Sequence, residues 1–312
     1  MSETIHPWKV LVRRGRFSTF EAANDVHIRY AAWEPEGEAK GTVVLLNGRS
    51  EFIEKYAEPI GELLDKGYAV WSKDWRGQGL SSRPLANRRK GHADSFDPFL
   101  SDLHVFLTEV VRPNSEGPYL GLGHSMGGHL LLRYLAERPG FFARAILSAP
   151  MVDIHTMGWP RGMVEGLAEF AVWLGMSQHY VPGMGDDDPY QITFSKNLLT
   201  SDPVRFHQTR AWTEEDPALA LGGPTYGWMR AAYESIAKLE DSNYAGAIDT
   251  PVLLLSADKD RVVLNEAQER LSRHLPKASF ASLPDAKHEI MLERDPIRAR
   301  FWELFDQFAG PL

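Results

Sequence analysis

The sequence contains no cysteine. That absence excludes disulfides, thiolate-bound zinc, iron–sulfur clusters and a thiol nucleophile together, and it leaves the redox compartment open. Long hydrophobic runs are also missing. Stretches such as Thr42 to Leu46 and Pro251 to Leu255 fall far short of the ~20 apolar residues a membrane-spanning helix needs. The N-terminus, Met1-Ser2-Glu3-Thr4-Ile5-His6-Pro7, has no basic start leading into an apolar stretch, so no secretory signal is expected. The expected compartment is the cytoplasm, with peripheral contact to a bilayer left open. Basic charge is not in excess: 34 Lys and Arg stand against 42 Asp and Glu, a net charge of -8. An acidic balance spread along the chain provides no electrostatic footprint for nucleic acid, which is not expected as a partner. No internal repeat or low-complexity tract occurs.

The chain does have an ordinary globular composition. Apolar residues at 43% and charged residues at 24% exclude a largely disordered or fibrous chain. Its 312 residues allow about two domains, or one large α/β domain with an insertion.

Short apolar runs bounded by turn residues recur. Val26 to Trp33, Thr42 to Leu46, Tyr68 to Ser72, Tyr119 to Leu122, Ala143 to Leu147, Val252 to Leu255 and Ala278 to Leu283 read as strands. Continuous apolar runs of this length suit strands buried on both faces of a parallel sheet. Helical spacing falls between them, over Glu54 to Lys66, Phe99 to Val110 and Met126 to Arg138. Alternating strand and helix reads as an α/β fold with a mostly parallel sheet. One interval breaks this rhythm. From Leu147 to Val252 is about a hundred residues, where a crossover needs only about a dozen. The interval is rich in Met, Trp, Gly and Pro and has no strand pattern. Residues 151–244 are therefore expected to form an inserted, mostly helical cap on a core made of 1–150 and 245–312. Within the insertion stand Met151, Met157, Trp159, Met163, Leu167, Phe170, Trp173, Leu174 and Met176. Most are expected to pack the cap onto the core, and the rest to line a tunnel for an acyl chain. The run Arg88-Arg89-Lys90 reads as a solvated loop.

The strongest chemical signal is Gly123-His124-Ser125-Met126-Gly127, a G-x-S-x-G pattern between a buried strand and a helix. A nucleophile on so tight a turn sits in strained backbone, and side chains two residues either side would clash, hence the glycines. The turn aims Ser125 outward. It also sets the Met126 N–H at a helix N-terminus, where partial positive charge favours an oxyanion. A dinucleotide-binding reading fails, because G-x-G-x-x-G starting at Gly121 would need glycine at 126.

A serine hydroxyl needs a general base, and the base needs an orienting carboxylate. On such a fold the chain order is Ser, acid, His. After the run Pro251 to Leu255 comes Ser256-Ala257-Asp258-Lys259-Asp260-Arg261, where two acids compete. Asp260 lies deeper in the loop and is favoured; Asp258 reads as a turn residue. After Ala278 to Leu283 comes Pro284-Asp285-Ala286-Lys287-His288, which places His288 at the same sheet edge as the candidate base. His124 reads as buried behind the turn, His129 as a helix residue and His92 as a packing residue. No H-E-x-x-H spacing occurs, so no metal is expected. A second oxyanion donor belongs in the loop after an early strand, here Asn47-Gly48-Arg49-Ser50-Glu51. Gly48 permits close approach, and the Arg49 N–H is the candidate donor beside that of Met126. The segment Asp74-Trp75-Arg76-Gly77-Gln78-Gly79-Leu80-Ser81 reads as a loop whose charges brace its neighbours.

These residues resemble the α/β-hydrolase superfamily, in its lysophospholipase and monoacylglycerol lipase branch. The resemblance spans nearly the whole chain. It rests on Gly48-Arg49-Ser50-Glu51 with Lys55-Tyr56-Ala57, on residues 74–79, on Gly91-His92 with Phe96 and Asp102, and on Gly123 to Gly128. Gly222-Gly223-Pro224-Thr225-Tyr226-Gly227-Trp228 in the insertion is similar to bacterial lysophospholipases. The resemblance implies an α/β-hydrolase fold with a helical cap, a triad of Ser125, Asp260 and His288, and oxyanion donors Arg49 and Met126. It also implies a small lipid ester as substrate and no cofactor. Many relatives have His-Gly where this chain has Asn47-Gly48. Two other readings stand beside it. One is a serine aminopeptidase, whose substrate ammonium Asp186-Asp187-Asp188 or Glu214-Glu215-Asp216 would hold. The other is a non-catalytic ligand-binding member of the fold.

Overall fold

The computed structural model describes residues 7–310; the N-terminal stretch read above as carrying no signal lies, up to residue 6, outside the described residues. Eight strands form one sheet: β1 (Arg16–Ala22), β2 (Val26–Trp33), β3 (Thr42–Leu46), β4 (Ala69–Lys73), β5 (Tyr119–His124), β6 (Arg144–Ser148), β7 (Val252–Ala257) and β8 (Ala278–Leu283). Their order across the sheet is β1-β2-β4-β3-β5-β6-β7-β8. The first two pairings, β1 with β2 and β2 with β4, are antiparallel, and the rest are parallel. All the parallel strands therefore end at one edge. There Leu46 pairs with Gly123, His124 with Ser148 and Ala257 with Leu283.

Ten α-helices accompany the sheet among the described residues: α1 (Pro7–Arg14), α2 (Ala57–Asp65), α3 (Asp97–Val105), α4 (Met126–Glu137), α5 (Arg161–Trp173), α6 (Pro203–Glu215), α7 (Tyr226–Glu240), α8 (Ser242–Gly246), α9 (Asn265–Ser272) and α10 (Asp295–Ala309). The wholly buried β3 shows why its run is unbroken. Val44 and Leu46 join an apolar cluster with Leu103 of α3 and Leu130 of α4, whereas Val43 and Leu45 join Ile60 of α2 and Phe301 of α10 on the other face. A strand whose alternate side chains both meet helices has no polar face to display.

The apolar runs mark the strands to within a residue or two. β5 and β7 extend two residues past them, to His124 and Ala257, because ladder hydrogen bonds do not require apolar side chains. The helical spacing over Glu54 to Lys66 resolves into a 3-10 turn, Ile53–Tyr56, followed by α2. The helix around Leu103 continues beyond α3 as a π-helical segment, Phe106–Val111. β1 does not figure among the expected strands; it is an edge strand, exposed along most of its length, so no buried run announces it.

Between β6 and β7 the chain forms α5 to α8, with only isolated bridges such as Tyr180 to Thr225 and Ile154 to Val263. Here the packing expectation is overturned. Of the nine large apolar residues singled out above, only Met151 is buried, and the other eight are exposed, Trp173 at 77%. The reason lies in α5, which turns its small residues Ala168 and Ala171 inward and its large residues Met163, Leu167, Phe170 and Trp173 outward. No helix among the described residues is long and apolar enough to cross a membrane.

Candidate active site

Ser125 sits on the turn joining β5 to α4 with φ 51 and ψ -118, a conformation rarely adopted by a residue with a side chain. Close backbone approach explains the glycines around it. A Cβ on Gly123 would lie 2.7 Å from the Gly128 Cα, and one on Gly127 would collide with the carbonyl oxygens of Leu46 and Asn47. The Ser125 carbonyl accepts N–H groups from His129 at 3.0 Å and Met151 at 2.9 Å, which holds the turn from below.

The loops after β7 and β8 bring the other two expected residues to this turn. His288 Nε2 is 3.0 Å from Ser125 Oγ, and His288 Nδ1 is 2.7 Å from Asp260 Oδ2. Asp260 Oδ1 accepts the N–H groups of Val262 at 2.8 Å and Val263 at 3.1 Å, so the carboxylate is oriented from both sides. Asp258 is exposed and does not enter this line; its N–H donates to the Leu283 carbonyl and its own carbonyl accepts from Asn265 Nδ2. Burial disfavours charge on Asp260, but His288 and the two N–H groups outweigh it and hold the carboxyl below its ordinary range. Burial likewise opposes the imidazolium of His288. The charges of Asp260, Glu289 and Glu51 prevail and raise its pKa above the usual 6.5. The arrangement suits proton transfer from Ser125 to a base whose cationic form is stabilised.

The loop after β3 lies against Ser125. A Cβ on Gly48 would come 3.1 Å from Ser125 Cβ, so only bare backbone fits between them. Arg49 follows in this loop, and Met126 opens α4. The 74–81 segment braces the loop. Gln78 donates from Nε2 to the Gly48 carbonyl at 2.9 Å and accepts the Ser50 N–H at 3.2 Å, while Trp75 Nε1 donates to the Asn47 carbonyl at 2.7 Å. Asp74 takes Arg29 and the N–H groups of Ile53 and Leu80. The Asn47 side chain is fully buried, and neither amide atom has a partner.

The three other histidines weighed above are accounted for locally. His124 is buried, bonded at Nδ1 to the Ser148 carbonyl, and pushed down to about 4 by burial. His129 bonds Ser235 and the Met151 carbonyl. His92 contacts Thr225 at 2.8 Å, joining the core to the β6–β7 segment. In the loop expected to be solvated, Arg88 is exposed, but Lys90 donates to the Gln178 carbonyl at 2.8 Å. Of the six acids weighed as ammonium ligands, three have side-chain partners elsewhere, while Asp188 is buried with Oδ1 on the Tyr190 N–H and Oδ2 unpartnered. Asp186 takes Tyr180 and Asn87, Glu214 takes Arg210, and Glu215 takes Lys9. Among the described residues, no three His, Asp or Glu side chains are arranged to hold a metal ion.

Sequence reasoning missed a buried ionic cluster behind His288. Lys55 lies between Glu51 at 2.5 Å and Glu289 at 2.6 Å, and Tyr56 and Tyr190 add their hydroxyls. The i,i+4 spacing of Glu51 and Lys55, and the adjacency of Glu289 to His288, were the available signals.

Residues 37–295 match the family model described as serine aminopeptidase, S33. The chain belongs to this α/β-hydrolase family. Among relatives, this S33-family chain is 31% identical over 307 residues to lysophospholipase L2 of Escherichia coli, covering 95% of the chain and 88% of that protein. It is 26% identical over 245 residues to the monoacylglycerol lipase of Mycolicibacterium smegmatis, covering 78% and 79%. In fold it is similar to a soluble variant of monoglyceride lipase from Saccharomyces cerevisiae, with TM-score 0.74 at 21% identity, covering 94% of this chain and 95% of that one.

Proposed function

We propose that this S33-family chain is a serine carboxylester hydrolase that releases a fatty acid from a single-chain lipid, a lysophospholipid or a monoacylglycerol. The observation that carries the reading is the line from Ser125 Oγ through His288 to Asp260, at 3.0 Å and 2.7 Å. The similarity to lysophospholipases and monoacylglycerol lipases supports the substrate class.

In this reading Ser125 Oγ attacks the ester carbonyl as His288 Nε2 takes its proton. The N–H groups of Arg49 and Met126 receive the developing oxyanion. His288 then returns the proton to the leaving alcohol, and Asp260 stabilises the imidazolium throughout. Water, deprotonated by His288, attacks the acyl-enzyme and frees the fatty acid. Residues 151–244 act as a cap over this edge.

The exposed face of α5 belongs to the same proposal. Trp159, Met163, Leu167, Phe170 and Leu174 recur at helical spacing, Trp173 stacks on Phe170, and all are exposed. Arg161 at the start of α5 is paired with Glu165, Asp153 and Glu240, so acids outnumber the one cation at that end of the face. Such a face suits peripheral contact with a bilayer, on its cytoplasmic side, through apolar burial rather than attraction to anionic lipid.

The decisive test is hydrolysis of lysophospholipids, monoacylglycerols and an aminoacyl anilide side by side, with enzyme whose Ser125 labels fully with a fluorophosphonate. A buried methylene is worth about 0.8 kcal/mol. Lengthening a p-nitrophenyl ester from two to eight acyl carbons, below micelle concentrations, should therefore raise kcat/KM by at least about a hundredfold. A profile that peaks at acetate, or faster turnover of the anilide, would reject the lipid reading.

A further inference from the structure

The cluster behind His288 is expensive to bury, and the bonding of its ammonium is complete. Lys55 is fully buried, and its three protons have three partners: Glu51 Oε1 at 2.5 Å, Glu289 Oε1 at 2.6 Å and Tyr190 Oη at 2.6 Å. Tyr56 donates to Glu51 Oε2 at 2.5 Å, and Tyr190 donates to Glu289 Oε1 at 3.1 Å. Every bond to the two carboxylates is donated to them, the pattern of ionised acceptors. Removing one member would leave a buried charge uncompensated, which is far costlier than never burying the set.

The connections run to the candidate machinery. Glu51 Oε2 accepts the Gly48 N–H, in the loop that lies against Ser125. Glu289 immediately follows His288. Tyr190 comes from the β6–β7 segment. Lys55 thus ties together three pieces of chain that are far apart in sequence.

We propose that Lys55, Glu51 and Glu289 form a positioning clamp, in which Glu51 sets the Gly48–Arg49 backbone and Lys55 fixes it against the His288 loop and the Tyr190 segment. The clamp rests on the hydrolase reading above. It touches no reacting atom and acts through the backbone donors and through His288. Displacement of an oxyanion donor by about 1 Å is enough to cost about a hundredfold in rate.

The clamp also sets the field at the base. His288 faces Asp260 at Nδ1 and Ser125 at Nε2, and its ring lies 4.7 Å from that of His124. His124 Nε2 is in turn 3.6 Å from Glu51 Oε1. Lys55 and Glu289 complete the surroundings, with Tyr190 above them. Two carboxylates against one ammonium leave one net negative charge, which favours the imidazolium.

The test uses the full chain and a water-soluble p-nitrophenyl ester, with kcat and KM measured separately and kcat/KM followed against pH. Lys55→Met should lower kcat by about a hundredfold or more with KM within threefold, and Lys55→Arg should restore it to within tenfold of wild type. Glu51→Gln keeps an oxygen for the Gly48 N–H but removes a charge, so the acid limb of kcat/KM should move to lower pH. If Lys55→Met does not fold, Tyr56→Phe, which removes a single donor from Glu51, should lower kcat at unchanged KM. Folded Lys55→Met with kcat within threefold of wild type, an unmoved limb in Glu51→Gln, or an unaltered kcat in Tyr56→Phe would each overturn the clamp. Ser125→Ala separates the two readings. If it too stays active, the hydrolase assignment fails; if it is dead while Lys55→Met is not, only the clamp fails.

Discussion

The Arg49 guanidinium donates to the carbonyl oxygen of Gly222 at 2.7 Å, linking the loop after β3 to the segment between β6 and β7. It is partly buried, lies 5.1 Å from the Trp228 ring centre, and is held down to about 10 by desolvation. A Cβ on Gly91 would collide with it. Gly91→Ala should therefore destabilise the protein by about 1–3 kcal/mol through overpacking. The double variant Gly91→Ala/Arg49→Ala should lose less than the sum of the singles. Urea midpoints of the four proteins check this; strict additivity would show that Arg49 and Gly91 do not compete for the same space.

Ser125→Ala and His288→Ala should each remove most esterase activity while leaving the melting temperature within a few degrees of wild type. Groups acting as a unit give similar and non-additive losses, on the order of 10⁴-fold or more. Purified Ser125→Ala with even a tenth of wild-type turnover would defeat the assignment.

The two loop aspartates should separate cleanly. Asp260→Asn should lose roughly 10⁴-fold in kcat, because an amide cannot stabilise the imidazolium. Exposed Asp258→Asn should change kcat less than about threefold. Steady-state rates for the pair, in one buffer, decide between them.

The exposed face of α5 can be altered at little cost to the fold. Phe170→Glu/Trp173→Glu should change stability by about 0.5 kcal/mol or less per site, as exposed substitutions do. Co-sedimentation with phosphatidylcholine vesicles should fall at least about tenfold, and so should hydrolysis of vesicle-embedded substrate, while turnover of a soluble butyrate ester stays within twofold. Undiminished sedimentation would mean that this face does not meet lipid.

Acid stability should depend on His129. Burial, with Arg133 nearby, pushes its pKa down to about 3, against 6.5 in an unfolded chain. Between these values the unfolded state binds the extra proton. The contribution of the neutral imidazole is thus complete above pH 6.5 and falls as the pH drops toward 3, at up to about 1.4 kcal/mol per pH unit. His129→Gln should lower stability at pH 7 yet flatten its decline between pH 6.5 and 4. Denaturant titrations across that range measure both effects; an unchanged slope would contradict the linkage.

Local pattern alone was enough for the strands that carry the site and for the order of its residues. β3 and β8 end where their apolar runs end, and Ser125, Asp260 and His288 each follow such a run, so a parallel sheet brings them to one edge. The glycines around Ser125 were legible for the same reason, since backbone crowding at a tight turn is a property of a few neighbouring residues. Tertiary structure decided the rest. Edge strand β1 is too exposed to leave an apolar signature. α5 inverts the usual rule, because whether a large residue is buried depends on what packs against it, and Ala168 and Ala171 fit the contact where Phe170 and Trp173 do not. The partners of Lys55 lie 4, 135 and 234 residues away along the chain. A charge among apolar neighbours reads as a surface residue until the fold encloses it, and only the enclosed geometry supplies the counter-charges that make its burial tolerable.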